Sequence, residues 1–159
     1  MRFIAWFLVA VVLIVGGLLG YCLYAAELGL EARGVQVVPA AQMAETFETL
    51  RRQVQDGGLL GTAFSEDPLG EMGDYAFHIY TVQVTNRGFL PADWIQLSVS
   101  PISGDALQMD PETANMLPAL QSGALQATVL SQAAQAAPRD LRVTYFVFGR
   151  PYSITVRQP

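Results

Sequence analysis

Tyr75-Ala76-Phe77-His78-Ile79-Tyr80-Thr81-Val82-Gln83-Val84-Thr85-Asn86-Arg87-Gly88 is the stretch that decides the fold class. Tyr75, Phe77 and Ile79 alternate on odd positions, then Tyr80, Val82 and Val84 on even ones, and Asn86-Arg87-Gly88 ends the run. A period of two with β-branched and aromatic residues is the mark of a strand. The change of phase between Ile79 and Tyr80 predicts a β-bulge, or a strand that bends from one sheet to another.

The same alternation recurs downstream. Ile95, Leu97 and Val99 alternate with Gln96, Ser98 and Ser100, and Leu125, Ala127 and Val129 form a further strand. Leu141, Val143, Tyr145 and Val147 face one way, and Tyr152, Ile154 and Val156 follow after Gly149-Arg150. That closing pair is a hairpin, with Gly149 suited to the first central position of a type II′ turn. Ser103 to Pro118 and Ala133 to Pro138 read as connections, and Leu59 to Ser65 as a short edge strand. Val35 to Val38 suggests one more short strand, closed by Pro39.

One amphipathic helix is expected over about 40–55, where Met43, Phe47, Leu50 and Val54 recur at steps of four, three and four. Pro39 sits at a permitted helix start and Gly57-Gly58 makes a stop. Phe146 and Phe148 lie on the second face of their strand, and two large aromatics need cover. The helix stripe is the natural candidate to supply it.

Ahead of this domain, Phe3 to Ala26 contains no charged residue. About 24 residues at roughly 1.5 Å each extend about 36 Å, enough to cross a hydrocarbon core of about 30 Å with some tilt. Arg2 flanks one end, and Glu27 and Glu31 follow the other before Arg33. The positive-inside bias therefore places the N-terminus in the cytoplasm and the rest of the chain outside it. Trp6 near one end and Tyr21 and Tyr24 near the other fit aromatic belts. The apolar run exceeds that of a cleaved signal peptide, and Tyr24 or Leu23 would stand where a signal peptidase wants a small side chain. A retained signal-anchor is expected. It should continue a turn into solvent, so that 1–33 forms anchor and juxtamembrane extension and 34–159 the extracytoplasmic domain. Gly16 and Gly20 form a small-xxx-small pair through which two such helices could associate weakly as a homodimer.

Composition excludes several functions. Of 159 residues, nine are basic against fourteen acidic, for a net charge of -5, so nucleic acid is not expected as a partner. All the basic residues are Arg, which removes Schiff-base chemistry on a lysine and a phosphate-loop lysine. The single cysteine, Cys22, lies within the apolar segment, leaving the domain neither a disulfide nor a thiol nucleophile. Leu19-Gly20-Tyr21 before it departs from a lipoprotein box at the bulky Tyr21, so Cys22 reads as an ordinary membrane cysteine. His78 is the sole histidine and sits among strand aromatics, where a structural role is expected rather than a catalytic one. No catalytic residue, cofactor fingerprint or zinc spacing is found. The hard oxygen ligands Glu66, Asp67, Glu71 and Asp74 lie in one acidic loop and are the candidates for Ca²⁺, off the spacing of an EF-hand. Asp105, Asp110 and Glu112 form a looser second group.

With Tyr80-Thr81-Val82-Gln83-Val84-Thr85-Asn86-Arg87-Gly88, then Ile95 to Val99, a Gly123-led strand and the closing hairpin, the segment Tyr75 to Val156 resembles the immunoglobulin-like domains of bacterial cell surfaces. The Val82-x-Val84-x-Asn86-x-Gly88 ending is typical of their adhesion-related and fibronectin-like members. The resemblance implies an immunoglobulin-like β-sandwich acting as an exported binding or spacer module, and brings no site residues with it. The expectation is thus a mainly β protein behind one transmembrane helix, a non-enzymatic binding or accessory module without cofactor. Its partners would be the bilayer through Phe3 to Ala26 and a protein or surface polymer. The alternative is an extracytoplasmic sensor of a small ligand or Ca²⁺ through loop 66–74.

Overall fold

In the computed structural model, which describes residues 2–24, 27–109, 113–132 and 137–158, the deciding stretch forms strand β3, Ala76–Asn86. It pairs without a break in register with β7, Ser122–Ser131, on one side. On the other lies β1, Leu28–Pro39. No bulge interrupts β3 at Ile79/Tyr80. Phe77 and Tyr80 are both fully buried because both faces of this end of the strand are covered. Even positions face the sandwich interior, while Phe77 faces a helix packed on the outside.

Element order is α1 (Arg2–Tyr24), β1, α2 (Ala44–Gln55), β2 (Gly61–Ala63), β3, β4 (Ala92–Val99), β5 (Asp105–Met109), β6 (Thr113–Leu117), β7, β8 (Arg139–Val147) and β9 (Arg150–Gln158). The strands form a five-stranded antiparallel sheet, order β1-β3-β7-β5-β2, and a four-stranded one, order β6-β4-β8-β9. The two sheets make a β-sandwich. Its interior gathers Tyr80, Val82 and Val84, Ile95, Leu97 and Val99, Leu125, Ala127 and Val129, with Leu141, Val143, Tyr145 and Val147. These are the inward sets that alternation predicts.

Counting the bulge, five expectations are corrected. The stretch Glu27–Arg33 is not helical: Leu28 opens β1, which holds Leu28 to Pro39 against β3 as one strand. Gly29 is the one residue in Glu27–Arg33 that disfavours a helix, but a strand partner supplies the backbone hydrogen bonds that local propensity leaves open. The bulge lies here instead, at the register shift between Ala32 and Gly34, where Gly34 has φ 135°. Ser103 to Pro118 holds β5 and β6 rather than loop alone. Polar residues at inward sites hid β5: Asp105 and Gln108 are buried within it.

Helix α2 covers the outer face of the five-stranded sheet, where Phe47 and Leu50 join Leu69, Tyr75, Phe77, Leu107 and Leu130 in a second core. It does not cover Phe146 and Phe148, which remain 41% and 76% exposed. Finally, Val147 pairs with Arg150, so the β8–β9 turn is Phe148-Gly149, with φ 53° and 75°. Positive φ at both central residues belongs to a type I′ turn, with Gly149 second rather than first.

Helix α1 contains, from Phe3 to Cys22, a segment long and apolar enough to cross a membrane. Its side chains are exposed on every face of the helix, Phe3, Trp6, Phe7, Leu13 and Ile14 among them.

Candidate functional site

The outer face of the four-stranded sheet departs from an ordinary sandwich surface in carrying exposed Trp94, Met116 and Phe146. Asp93 on β4 pairs with Met116 on β6 and with Phe146 on β8, and Phe146 pairs with Pro151 on β9. This row lies across the sheet on one face, since directly opposed residues share a side. Met116 is 56% exposed and Trp94, next to Asp93, is 68% exposed. Asp93, Trp94, Asn115, Phe146 and Gly149 line an open groove of about 580 Å³.

Trp94 stands there because of a bulge. Between Asp93↔Phe146 and Gln96↔Thr144, β4 contains one residue more than β8, and Trp94 takes φ 50°. A left-handed conformation is costly for a bulky residue, and Gly commonly occupies it in such bulges. The sequence signal for this site is Trp94's place out of phase with Ile95, Leu97 and Val99. That phase alone does not reveal the groove, because Asn115 and Phe146 reach it from distant segments.

Several polar side chains inside the sandwich are held by hydrogen bonds. Arg139 Nη1 and Nη2 donate to Asp105 Oδ2 and Oδ1 at 2.8 and 3.2 Å, and Asp105 Oδ2 also accepts from Ile102 N at 2.9 Å. Gln108 Nε2 donates to Leu97 O at 3.2 Å while its Oε1 accepts from Val99 N at 3.0 Å. One amide thereby stands in for a neighbouring strand beyond Gln96↔Thr113, the last β4–β6 pair among the described residues. Leu28 N donates to the Tyr145 hydroxyl at 3.3 Å. His78 is buried beside Tyr80, ring centroids 6.5 Å apart.

The acidic loop is arranged differently from a ligand cage. Asp67 Oδ2 accepts from Ser65 Oγ at 3.1 Å, and Asp67 lines a depression of about 220 Å³ with Tyr75 and Asp105. Asp74 lines a separate one of about 540 Å³ with Val37 and Pro39. Glu66 and Glu71 are exposed. Among the described residues no three His, Cys, Asp or Glu side chains gather as a metal site. Asp105 is committed to Arg139, and Asp110 and Glu112 lie outside the described residues, as do Ala25 and Ala26 at the end of the apolar segment. Nothing lies within 4 Å of the Cβ positions of Gly16 and Gly20, so that face of α1 is open.

No protein-family model and no curated protein matches the chain. Among solved structures it is distantly similar to a FixG-related protein from Vibrio parahaemolyticus, at 9% identity and a TM-score of 0.38 over 84% of this chain and 94% of that one. A second is the GAE domain of GGA2p from Saccharomyces cerevisiae, at 13% identity and a TM-score of 0.36 over 56% of this chain and 90% of that one. Both likenesses are too remote to bear on function.

Proposed function

We propose that the chain is a single-pass membrane protein, N-terminus in the cytoplasm, whose sandwich works outside it as a non-enzymatic binding or accessory module for a protein or surface polymer. The observation that carries this reading is the aromatic groove on the outer face of the four-stranded sheet, with Trp94 held outward in a left-handed bulge. Exposed apolar faces of this kind mark interaction sites, and strained backbone collects where function needs it. The apolar α1 supports the anchor, and the preference for Arg2 on one side and Glu27 on the other supports its orientation. Kinship with bacterial cell-surface immunoglobulin-like domains is part of the reading, supported by the paired antiparallel sheets and the Asn86 strand ending. The Ca²⁺-sensor alternative gains no support from the dispersed carboxylates of loop 66–74.

A photoreactive residue at Met116 in native membranes tests the proposal. A specific adduct is expected from this position and not from exposed Ser103. A chain that yields no adduct and runs only as a solitary monomer overturns it.

A further inference from the structure

The strand register collects three loops at one end of the sandwich. Leu28, where β1 begins, pairs with Asn86, where β3 ends. Thr85 pairs with Ser122, Ala92 with Leu117 and Val147 with Arg150. The connections β3–β4 (87–91), β6–β7 (118–121) and β8–β9 (148–149) therefore share the end at which the chain arrives from α1. Asn86 ties the first two together, its Nδ2 donating to Leu90 O at 2.9 Å and Leu117 O at 3.1 Å.

Each of these loops presents one bulky apolar side chain: Phe89 is 62% exposed, Leu120 68% and Phe148 76%. Two of them are held out by left-handed backbone, with φ 61° at Leu120 and 53° at Phe148. Turns of that conformation ordinarily take Gly, Asn or Asp, so folding alone does not account for these residues. The protein as a whole carries a net charge of -5, yet the three loops contain no carboxylate. Arg87 lies in the first and Arg150 follows the third.

The link to α1 decides what faces this end. Tyr24 closes α1 and Leu28 opens β1, and four residue steps reach at most about 14 Å. With α1 in a bilayer, the end of the sandwich that includes Leu28 cannot leave the membrane surface. Apolar tips with flanking arginines suit such a surface, which takes apolar groups below its headgroups and attracts cations where lipids are anionic.

From this we infer that the sandwich rests on the bilayer, with Phe89, Leu120 and Phe148 inserted among the lipids as three contact points. The inference builds on the reading of α1 as a membrane span and adds a fixed stance to it. A sandwich standing on three tips presents its sides, including the Trp94 groove, parallel to the membrane normal rather than swinging freely.

Single-tryptophan reporters in the full-length chain test it, reconstituted into vesicles of phosphatidylcholine and phosphatidylglycerol with and without bromine on the acyl chains. In a background with Trp6→Phe and Trp94→Phe, tryptophan is placed by Phe89→Trp, Leu120→Trp or Phe148→Trp, and at the opposite end by Ser103→Trp. The expected result is blue-shifted emission and loss of intensity to brominated lipid at the three tips, with none at position 103. A separate Trp94→Phe chain keeps Trp6 as the reporter of α1. Quenching of Trp6 with unquenched tips overturns the docking and leaves the anchor standing. An unquenched Trp6 overturns the span and the docking with it. Tips that stay unquenched in vesicles but cross-link to a protein in native membranes would give the same surface a protein occupant, and overturn lipid as its partner.

Discussion

Arg139, at the start of β8, grips Asp105, at the start of β5, through two hydrogen bonds of 2.8 and 3.2 Å, and neither side chain reaches solvent. The pair joins the two sheets at the end opposite α1, and the guanidinium also sits 4.9 Å from the centroid of the Tyr80 ring. Such a pair contributes little net stability over a well-packed apolar replacement, because both charges have been taken out of water. Removing one partner alone is a different matter. Asp105→Asn is expected to destabilise the fold by about 3–5 kcal/mol by leaving Arg139 uncompensated. Denaturant titration of the detergent-solubilised chain measures this, and Asp105→Leu combined with Arg139→Met should recover most of the loss.

Asn86 makes the corresponding join at the other end. Besides its two donated bonds, its Oδ1 accepts from Gly88 N at 2.9 Å, and it is 3% exposed. Asn86→Ala leaves the part-buried Leu90 carbonyl and the buried Leu117 carbonyl without this donor, a cost of about 1–3 kcal/mol. Faster hydrogen exchange in loops 87–91 and 118–121 should accompany the fall in stability.

Phe148 opens a turn whose geometry favours Asn-Gly. Phe148→Asn is expected to raise stability by about 1 kcal/mol, since a left-handed residue other than Gly, Asn or Asp costs roughly 1–2 kcal/mol. Thermal melting in detergent checks the gain, and the brominated-lipid assay should show that the gain comes with weaker contact to the bilayer.

Burial raises the Tyr80 hydroxyl above its usual 10.0, with Arg139 opposing and Asp105 adding to the shift. Burial likewise raises Tyr145, opposed by the hydrogen bond from Leu28 N. A raised folded-state value means stability that is full below the unfolded value and is lost as pH rises toward the folded one. The contribution is therefore constant up to about pH 10 and declines above it. Alkaline titration followed by tyrosinate absorbance should show these two of six tyrosines ionising only as the domain unfolds. Tyr80→Phe should remove one of them from that transition.

The inward sets of β3, β4, β7 and β8 were legible because a half-buried strand writes its burial into a period of two. The α2 stripe was legible for the same reason at a period near four. Three errors share one cause. Leu28–Arg33 follows an apolar helix with no breaker but Gly29, β5 has Asp105 and Gln108 facing inward, and Phe77 and Tyr80 are buried on opposite faces of one strand. In each case the deciding partner lies elsewhere along the chain: β3 for β1, Arg139 and the Leu97–Val99 backbone of β4 for β5, and α2 for the outer face of β3.

The sequence by itself determined an apolar helix of spanning length at Phe3–Cys22, an acidic β domain behind it, and the absence of lysine and of any cysteine beyond Cys22. These follow from composition and local period, which need no partner to be read. Only the tertiary structure decided that α2 covers the five-stranded sheet and leaves Phe146 in the open. It alone brought Phe89, Leu120 and Phe148 to the end where the chain arrives from α1. Which apolar residues find cover depends on the order of strands in space, and that order is set by hydrogen-bonded pairing between segments that no local pattern connects.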